Sequence, residues 1–554
     1  MNTMKSKPSS SFTVRAIAAA MSLALAAPLV HADDRAEVEQ VRATTMALLQ
    51  ALVESGLISR DKADAIVRQA QQARPAAAPS GSAASGAAPA NVVRVPYVSE
   101  TTKAEMREQI KQEVLAQAKT ERWGEPGALP EWLNRISLDG DLRARWQMEM
   151  FDKNNWPAYD PSGVRAQTQS PAWSPDLANT TNDRNRMTLR ARLGVNANLG
   201  GGFSTELRAA SGSNASPVST SQTLGSNLSK YSLWLDRAAI NWQPRSDVRV
   251  SVGRFGNPFY GTDLTWPDDL NFDGAAASYK PRLNESASVF VTAGAFPLQE
   301  FELTASEKWL YGAQAGGAWK LNPQTELSFG VALYDFVNVA GEYDGGAVPS
   351  GVRKGTTAYL SSEYPASVRQ KGNTLIRLNP GTDPANPSTV LDPTWGLASK
   401  FRPIDVSASL SFNQFAPVVV QTSLDYVKNT AFDLNDIRSR TALPSLDVSE
   451  KTTALQARVN VGMPKIERSG DWQAFMAWRR VERDAWIDAF TDTTWNLGGT
   501  NYQGWSLGAQ YGVAPKTSVG ARWTSTRNLT DGTYDLSSAP LKIDVFQLEL
   551  NSRF

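Results

Sequence analysis

The chain has 554 residues, no cysteine and a single histidine, His31. Without cysteine there is no disulfide, so an exported form of this chain must be stabilised by other means. His31 falls in an N-terminal stretch that reads as a removable leader. The mature chain is then left without a Ser-His-Asp triad, a Cys-His pair or an ordinary zinc site. Only carboxylate, Lys, Tyr or Ser-Lys chemistry stays open. Long apolar runs are also missing. A membrane-spanning helix needs about 20 consecutive apolar residues, and no stretch beyond the leader approaches that length. Nor does one sign of charge dominate, with 56 Lys+Arg against 55 Asp+Glu, which argues against a nucleic-acid partner. The aspartates around 263–273 lack the spacing of an EF-hand loop. No metal and no cofactor are expected.

Residues 1–32 have the layout of a secretory signal peptide. Lys5, Lys7 and Arg15 form a positive region, Ala16 to Val30 is rich in Ala and Leu, and Val30-His31-Ala32 offers a small-residue cleavage site. Its removal takes three of the 56 basic residues and no acid, leaving 53 against 55. Residues 33–72 follow a helical period. Val38, Val41, Thr45, Leu48 and Leu52 form an a/d seam of about two heptads. Gly56 ends it and Ser59 caps a second apolar stripe through Ala63, Ile66, Val67 and Ala70. The segment reads either as an oligomerisation or tethering hairpin or as a small helical pair packed on itself. Residues 73–91 are almost entirely Ala, Pro, Ser and Gly, a linker composition. Residues 92–135 hold a charged helix from Lys103 to Lys119 and a lead-in broken by Gly124, Pro126, Gly127 and Pro130.

From Ile136 the period changes to two. Ile136, Leu138, Gly140, Leu142, Ala144 and Trp146 alternate with Ser137, Asp139, Asp141, Arg143 and Arg145. Met187 to Asn196 and Phe203 to Ala209 repeat the pattern, and about sixteen such segments can be traced to the C-terminus. The last, Leu541 to Phe554, carries Phe546, Leu548, Leu550 and Phe554 on one face and Gln547, Glu549, Asn551 and Arg553 on the other. Connections alternate short and long. Short joints fall near 199–202, 243–247, 280–286, 320–324, 413–417, 463–471 and 513–516, with long ones between them. Trp146, Trp234, Trp242, Trp319, Trp478, Trp505 and Trp523 lie in or near strand ends. Together these features predict an all-β transmembrane barrel over 136–554, of about 16 antiparallel strands, with one face of each strand in lipid and one in a wet lumen. A soluble sandwich has no reason to keep the two-sided loop asymmetry.

Three stretches resemble a known group. They are Ala128 to Arg143, Gly253-Arg-Phe-Gly-Asn-Pro-Phe259 with Trp266 to Gly274, and Val481 to Asp492 with Leu497 to Asn501. In this order, and ending in Phe554, they are similar to the bacterial "putative porin" family of outer-membrane barrels. The resemblance covers roughly 92–554 and the helical hairpin before the linker. It implies diffusion of small hydrophilic solutes through a water-filled barrel in the outer membrane of a Gram-negative bacterium, with the N-terminal helices in the periplasm. Outer-membrane lipid, lipopolysaccharide and the barrel assembly machinery are the partners it implies, and Phe554 resembles the terminal aromatic that this machinery reads. The a/d seam and porin analogy together suggest a homotrimer.

Alternation turns Arg143, Arg145, Arg190, Arg192, Arg208 and Arg249 inward, and Arg254 precedes a loop in which four aspartates follow within a short span. These seven are the candidate pore-lining residues. One reading makes them a wall that favours anions; the other pairs them with inward Asp139, Asp141, Glu206 and Asp236. Asn257, Asp263, Asp268, Asp269 and Asp273 are candidates for a loop folded into the lumen, where its acids would face the arginines. A further cluster, Glu482, Arg483, Asp484, Asp488 and Asp492, contains carboxylate pairs that a hydrolase could use, but nothing near it suggests a sugar cradle. The expected function is an outer-membrane porin. A structural tether gripping the cell wall or a partner through the helices, and a barrel enzyme, are the alternatives.

Overall fold

The computed structural model describes residues 135–155, 179–302, 304–346, 357–441, 445–529 and 540–554. The expected leader, helical hairpin, linker and charged helix lie outside the described residues. Sixteen long strands are present among those described. They are β1 (Ile136–Phe151), β2 (Arg184–Gly200), β3 (Phe203–Ala210), β4 (Trp234–Arg245), β5 (Val248–Gly256), β6 (Asn271–Tyr279), β7 (Ala287–Gln299) and β8 (Lys308–Asn322). The second half comprises β9 (Thr325–Val337), β10 (Pro403–Phe412), β11 (Val419–Asn429), β12 (Thr453–Gly462), β13 (Trp472–Val481), β14 (Tyr502–Ala514), β15 (Thr517–Asn528) and β16 (Lys542–Arg553). A two-residue segment, Gln222–Thr223, adds to β2 at Thr188 and Leu189.

Each strand pairs antiparallel with its neighbours in sequence, and β16 pairs with β1 from Asp141↔Arg553 to Phe151↔Ile543. The sheet is therefore a closed barrel without an edge. In hydrocarbon this closure is required, because no water is present to take up unpaired N–H and C=O groups. The seam is extended by the final residue. Phe554 donates its N–H to Gly140 O at 3.1 Å, and Gly140 returns a bond to Phe554 O at 3.4 Å. A Cβ at position 140 would lie 2.3 Å from the Phe554 ring. Glycine there lets the terminal aromatic lie flat over the seam.

The faces follow the alternation. Leu138, Leu142, Met187, Leu193, Leu207, Ile240 and Leu548 are exposed on the outer face, while Thr188, Ser251, Asp405, Ser506 and Gln547 are buried on the inner one. All seven tryptophans named above are exposed. Trp242 and Trp319 lie near the short-turn ends of β4 and β8, and the other five toward the long-loop ends, as two interfacial belts require. Phe203 stacks on Trp242 at 5.8 Å, and Trp478 is directly opposite Trp505 in the ladder. Seven turns leave the strands at one end and eight connections, most of them longer, at the other.

Replacing Leu548, central on the outer face of β16, by Arg is expected to lower unfolding stability in lipid vesicles by about 2–4 kcal/mol. The same replacement at the lumen-facing Ser411 should cost much less. Equal losses at the two sites, measured by urea unfolding in bilayers, would contradict the assignment of the faces.

Candidate pore constriction

The connection between β5 and β6, residues 257–270, turns into the barrel rather than away from it. Asn257 starts the turn, its Oδ1 accepting from Phe259 N at 2.9 Å, an Asx-type turn ahead of the constrained Pro258. Phe259 and Trp266 then bury in an aromatic cluster. Phe259 lies 5.1 Å from Tyr334, and Trp266 lies 4.8 Å from both Phe272 and Trp486. Between these anchors the loop is fixed by polar contacts to the far wall. Gln314 of β8 brackets its backbone, accepting from Tyr260 N at 2.7 Å and donating to Tyr260 O at 2.5 Å. The Tyr260 hydroxyl is 3.0 Å from Ser409 Oγ of β10. Thr262 donates to Asp425 of β11, and Thr265 donates to Asp405 of β10 at 3.5 Å. Asp263 reaches β12 and β13, pairing with Arg479 at 3.0 Å and accepting from Gln456 at 2.9 Å. At its other end Asp269 meets Arg190 at 3.2 Å and Arg192 at 3.0 Å, both on β2. The loop thus crosses the lumen.

This path decides the state of the loop's acids. Burial alone would raise Asp263, but Arg479, Arg458 and Arg522 outweigh it and hold the carboxyl well below its usual range. Asp269 is likewise held low, Arg190 and Arg192 overcoming the effect of burial. Asp268 differs. Desolvation inside the lumen, then the charges of Asp263, Asp492 and Asp269, push it above the ordinary carboxylate value.

The arginines of β1 to β3 are inside, and each is engaged by an acid. Arg145 pairs with Glu549 at 3.1 Å, while Arg143 lies 3.8 Å from Glu549 and donates to Ser221 at 2.7 Å. Arg190 and Arg192 share Asp141 at 2.9 and 2.6 Å, and Arg208 pairs with Asp236 at 2.6 Å. Arg249 is held by Asn241 at 3.0 Å. Asp139 accepts from Asn196, and Glu206 pairs with Arg237. Two expected residues lie elsewhere. Arg254 and Asp273 pair with each other at 2.8 Å on the outward face, Arg254 alternating in step with lipid-facing Val252, and Asp273 belonging to β6 rather than to the loop. Arg249 and Arg254 are an odd number of residues apart on one strand, so they cannot share a face.

Beneath the loop is a cavity of about 530 Å³. Arg143, Arg145, Arg190, Asn257, Asp263, Asp268 and Asp269 line it, as do Arg458 and Arg522, which the sequence did not single out, and Asp492, which it placed in a separate acidic cluster. Among the described residues Arg458 and Arg522 form no ion pair. Arg458 donates to Asn460 at 2.8 Å, and Arg522 donates to Ser506 at 3.2 Å and Thr494 at 2.8 Å. Both guanidiniums rest on one ring, Phe475, at 4.1 and 5.0 Å from its centre. The ring lies against Gly508, where a Cβ would come within 2.3 Å of it. Alternation along β12 and β15 could have found both arginines. Their lack of an acidic partner could not be read from it.

The cluster at 482–492 is pulled apart by the fold. Glu482 accepts from Thr453 N and Oγ1, Asp484 from Thr374 N and Oγ1, and Asp492 from Thr494. Asp488 accepts from the Tyr364 hydroxyl, and burial pushes its carboxyl up to about 6. Lys371 is buried beside it, donating to the carbonyls of Asn496 and Gly498, and burial brings its ammonium down to about 8. These groups knit the connections 338–402 and 482–501 together above the constriction.

A family model described as "Putative porin" matches residues 42–554. Comparison with curated proteins gives no match. Among solved structures, OprB of Pseudomonas putida at high pH is similar with 12% identity and a TM-score of 0.41, covering 77% of this chain and 96% of that one. OmpF of Salmonella typhi, in complex with daunomycin, has 8% identity and a TM-score of 0.38, over 76% and 97% of the two chains. An anion-selective porin from Comamonas acidovorans has 11% identity and a TM-score of 0.37, over 76% and 99%. On the family match the chain belongs to the "putative porin" family and is an outer-membrane porin.

Proposed function

We propose that this porin passes small hydrophilic solutes by diffusion and favours anions weakly, through Arg458 and Arg522 rather than through the arginines of β1 to β3. The observation that carries the reading is the difference in pairing. Each guanidinium of β1 to β3 that lines the constriction is opposed by Glu549, Asp141 or Asp269. Arg458 and Arg522 are oriented by a phenyl ring and neutral oxygens and form no ion pair among the described residues, so Asp263 and Asp492, which line the same cavity, offset their charge only through space. Asp268 lines the same cavity, so the solute meets charges of both signs. A unit charge at 4 Å contributes about 1 kcal/mol in a water-like medium. Two such charges, partly opposed, give a preference of several-fold and not an exclusive one. Both ends of the barrel wall, Ile136 and Arg553, lie at the short-turn side, which supports an orientation with the short turns and the N-terminal residues in the periplasm.

In planar bilayers the refolded protein is expected to give discrete conductance steps with an anion-biased reversal potential under a salt gradient. Arg458→Gln combined with Arg522→Gln should remove the bias and keep the steps, while Arg190→Gln should change it less. A cation-biased wild type would overturn the anion reading.

The field should also respond to pH. With its carboxyl raised, Asp268 takes up a proton at higher pH than an ordinary Asp, so its charge is lost first as the solution is acidified. Anion bias should therefore grow as pH falls toward the carboxylate range, with the paired Asp263 and Asp269 still ionised. Asp268→Asn should show the enhanced bias already at neutral pH and lose this part of the pH dependence. An unchanged pH profile in that variant would assign the titration to another group.

A further inference from the structure

The wall has a gap on the side of the inward loop. β6 pairs with β5 along its whole length, and β7 pairs with β8 up to Gln299↔Lys308. Between β6 and β7 the ladder covers only Ala275↔Ala295 to Tyr279↔Val291. At the long-loop end, Asn271–Gly274 and Phe296–Gln299 therefore face each other without a ladder. Pro297 has no N–H to offer, so regular pairing cannot run on past it.

A cavity of about 320 Å³ reaches this gap; residues from both faces of the wall line it, and its inner side is closed by the connections 338–402 and 482–501, through Tyr364, Leu397, Ile487 and Phe490. Arg254, Asp273 and Pro297 belong to the outward face. Phe272, Phe296 and Leu310 are buried on the inward face, and Trp266 of the crossing loop adds to the apolar lining. The depth of the mouth is marked by Trp309, opposite Pro297 in the ladder and stacked on the outward Tyr311 at 5.9 Å. Aromatic residues in this position mark the boundary between hydrocarbon and headgroups. The Arg254–Asp273 pair lies at that level, and the neighbouring outward residues Val252 and Val291 are exposed to lipid.

We infer that this gap binds the hydrocarbon chain of a single-chain amphiphile, entering sideways from the surrounding leaflet with its polar head at the Arg254–Asp273 pair. The lining residues Arg254, Asp273 and Pro297 lie on the face that Val252 and Val291 turn to lipid, which makes an acyl chain the available apolar partner. The volume is at the low end of the range for small-molecule sites, about 300–1,000 Å³, which suits one chain and not a two-chain lipid. The ion pair supplies N–H donors and a carboxylate acceptor, so it can hold a hydroxyl or a carboxyl head. The inference is independent of conduction through the lumen.

The chain has no native cysteine, so Leu298→Cys, in the cavity lining, provides a unique reporter thiol. The full-length variant would be refolded into phosphatidylcholine vesicles and treated with a maleimide bearing a dodecyl chain, with and without dodecanoate. Labelling from the membrane at position 298, slowed several-fold by dodecanoate, is expected, with no such protection at the lipid-facing control Val252→Cys. Equal protection at both positions, no protection at 298, or reaction there only with a charged water-soluble maleimide would overturn the proposal. So would a thiol at 298 inert to both reagents. If Leu298→Cys fails to fold, the same measurement is made at Leu270→Cys, on the loop side of the cavity.

Discussion

Backbone in hydrocarbon has no water to turn to, and this one constraint organises the molecule. It requires a sheet without edges, and the contact of β1 with β16, capped by Phe554 over Gly140, supplies the closure. Closure then divides the side chains. Every second residue faces outward and, within the hydrocarbon layer, is predominantly apolar; the rest face a lumen that accepts Arg, Asp, Gln and Ser. Composition looks soluble for this reason alone, and no apolar run is needed to place the chain in a membrane.

The same division explains how the loop after β5 can fold inward. The inner wall presents polar partners at regular intervals, and Tyr260, Thr262, Asp263 and Thr265 meet them in turn on β8 and β10 to β13. Polar contacts of this kind contribute about 0.5–1.5 kcal/mol each, and about 1.5–3 kcal/mol where a charged group takes part. The aromatic anchors Phe259 and Trp266 add buried area, which contributes about 25 cal/mol per Å². Apolar burial carries most of the stabilisation, and the polar contacts set the position. Beside the loop, β6 pairs with β7 only from Ala275 to Tyr279, and Pro297 keeps regular pairing from running on, so the incomplete ladder lies next to the constriction.

Alternation made the strands, the turn and loop pattern, the two tryptophan belts and the inward arginines of β1 to β3 legible in the sequence. A period of two is a local property, and membrane strands keep it because both faces are under strong and opposite demands. Pairing across the barrel is not local. That Asp141 serves both Arg190 and Arg192, or that Asp269 arrives from a loop to join them, depends on which strands are neighbours and where the loop lands. Arg254 follows the parity of Val252 and so faces outward, although the loop that begins three residues later turns into the lumen. Asp492 was visible only as one of a run of acids, and its place in the constriction depends on how the connection 482–501 folds over the lumen.

Selectivity and stability make opposite demands on a lumen charge. A guanidinium paired with a carboxylate is satisfied, holds two strands together and presents little net charge to a passing ion. One left alone presents its full charge but loses its partner and its orientation. Phe475 resolves this conflict for Arg458 and Arg522. A ring face attracts a cation by about 0.5–2 kcal/mol depending on desolvation, enough to fix a planar group, and it adds no formal negative charge. The ring can lie flat against the wall because position 508 is glycine. A single missing side chain on β14 therefore sets the orientation of two charges on β12 and β15, and the field of the constriction depends on it.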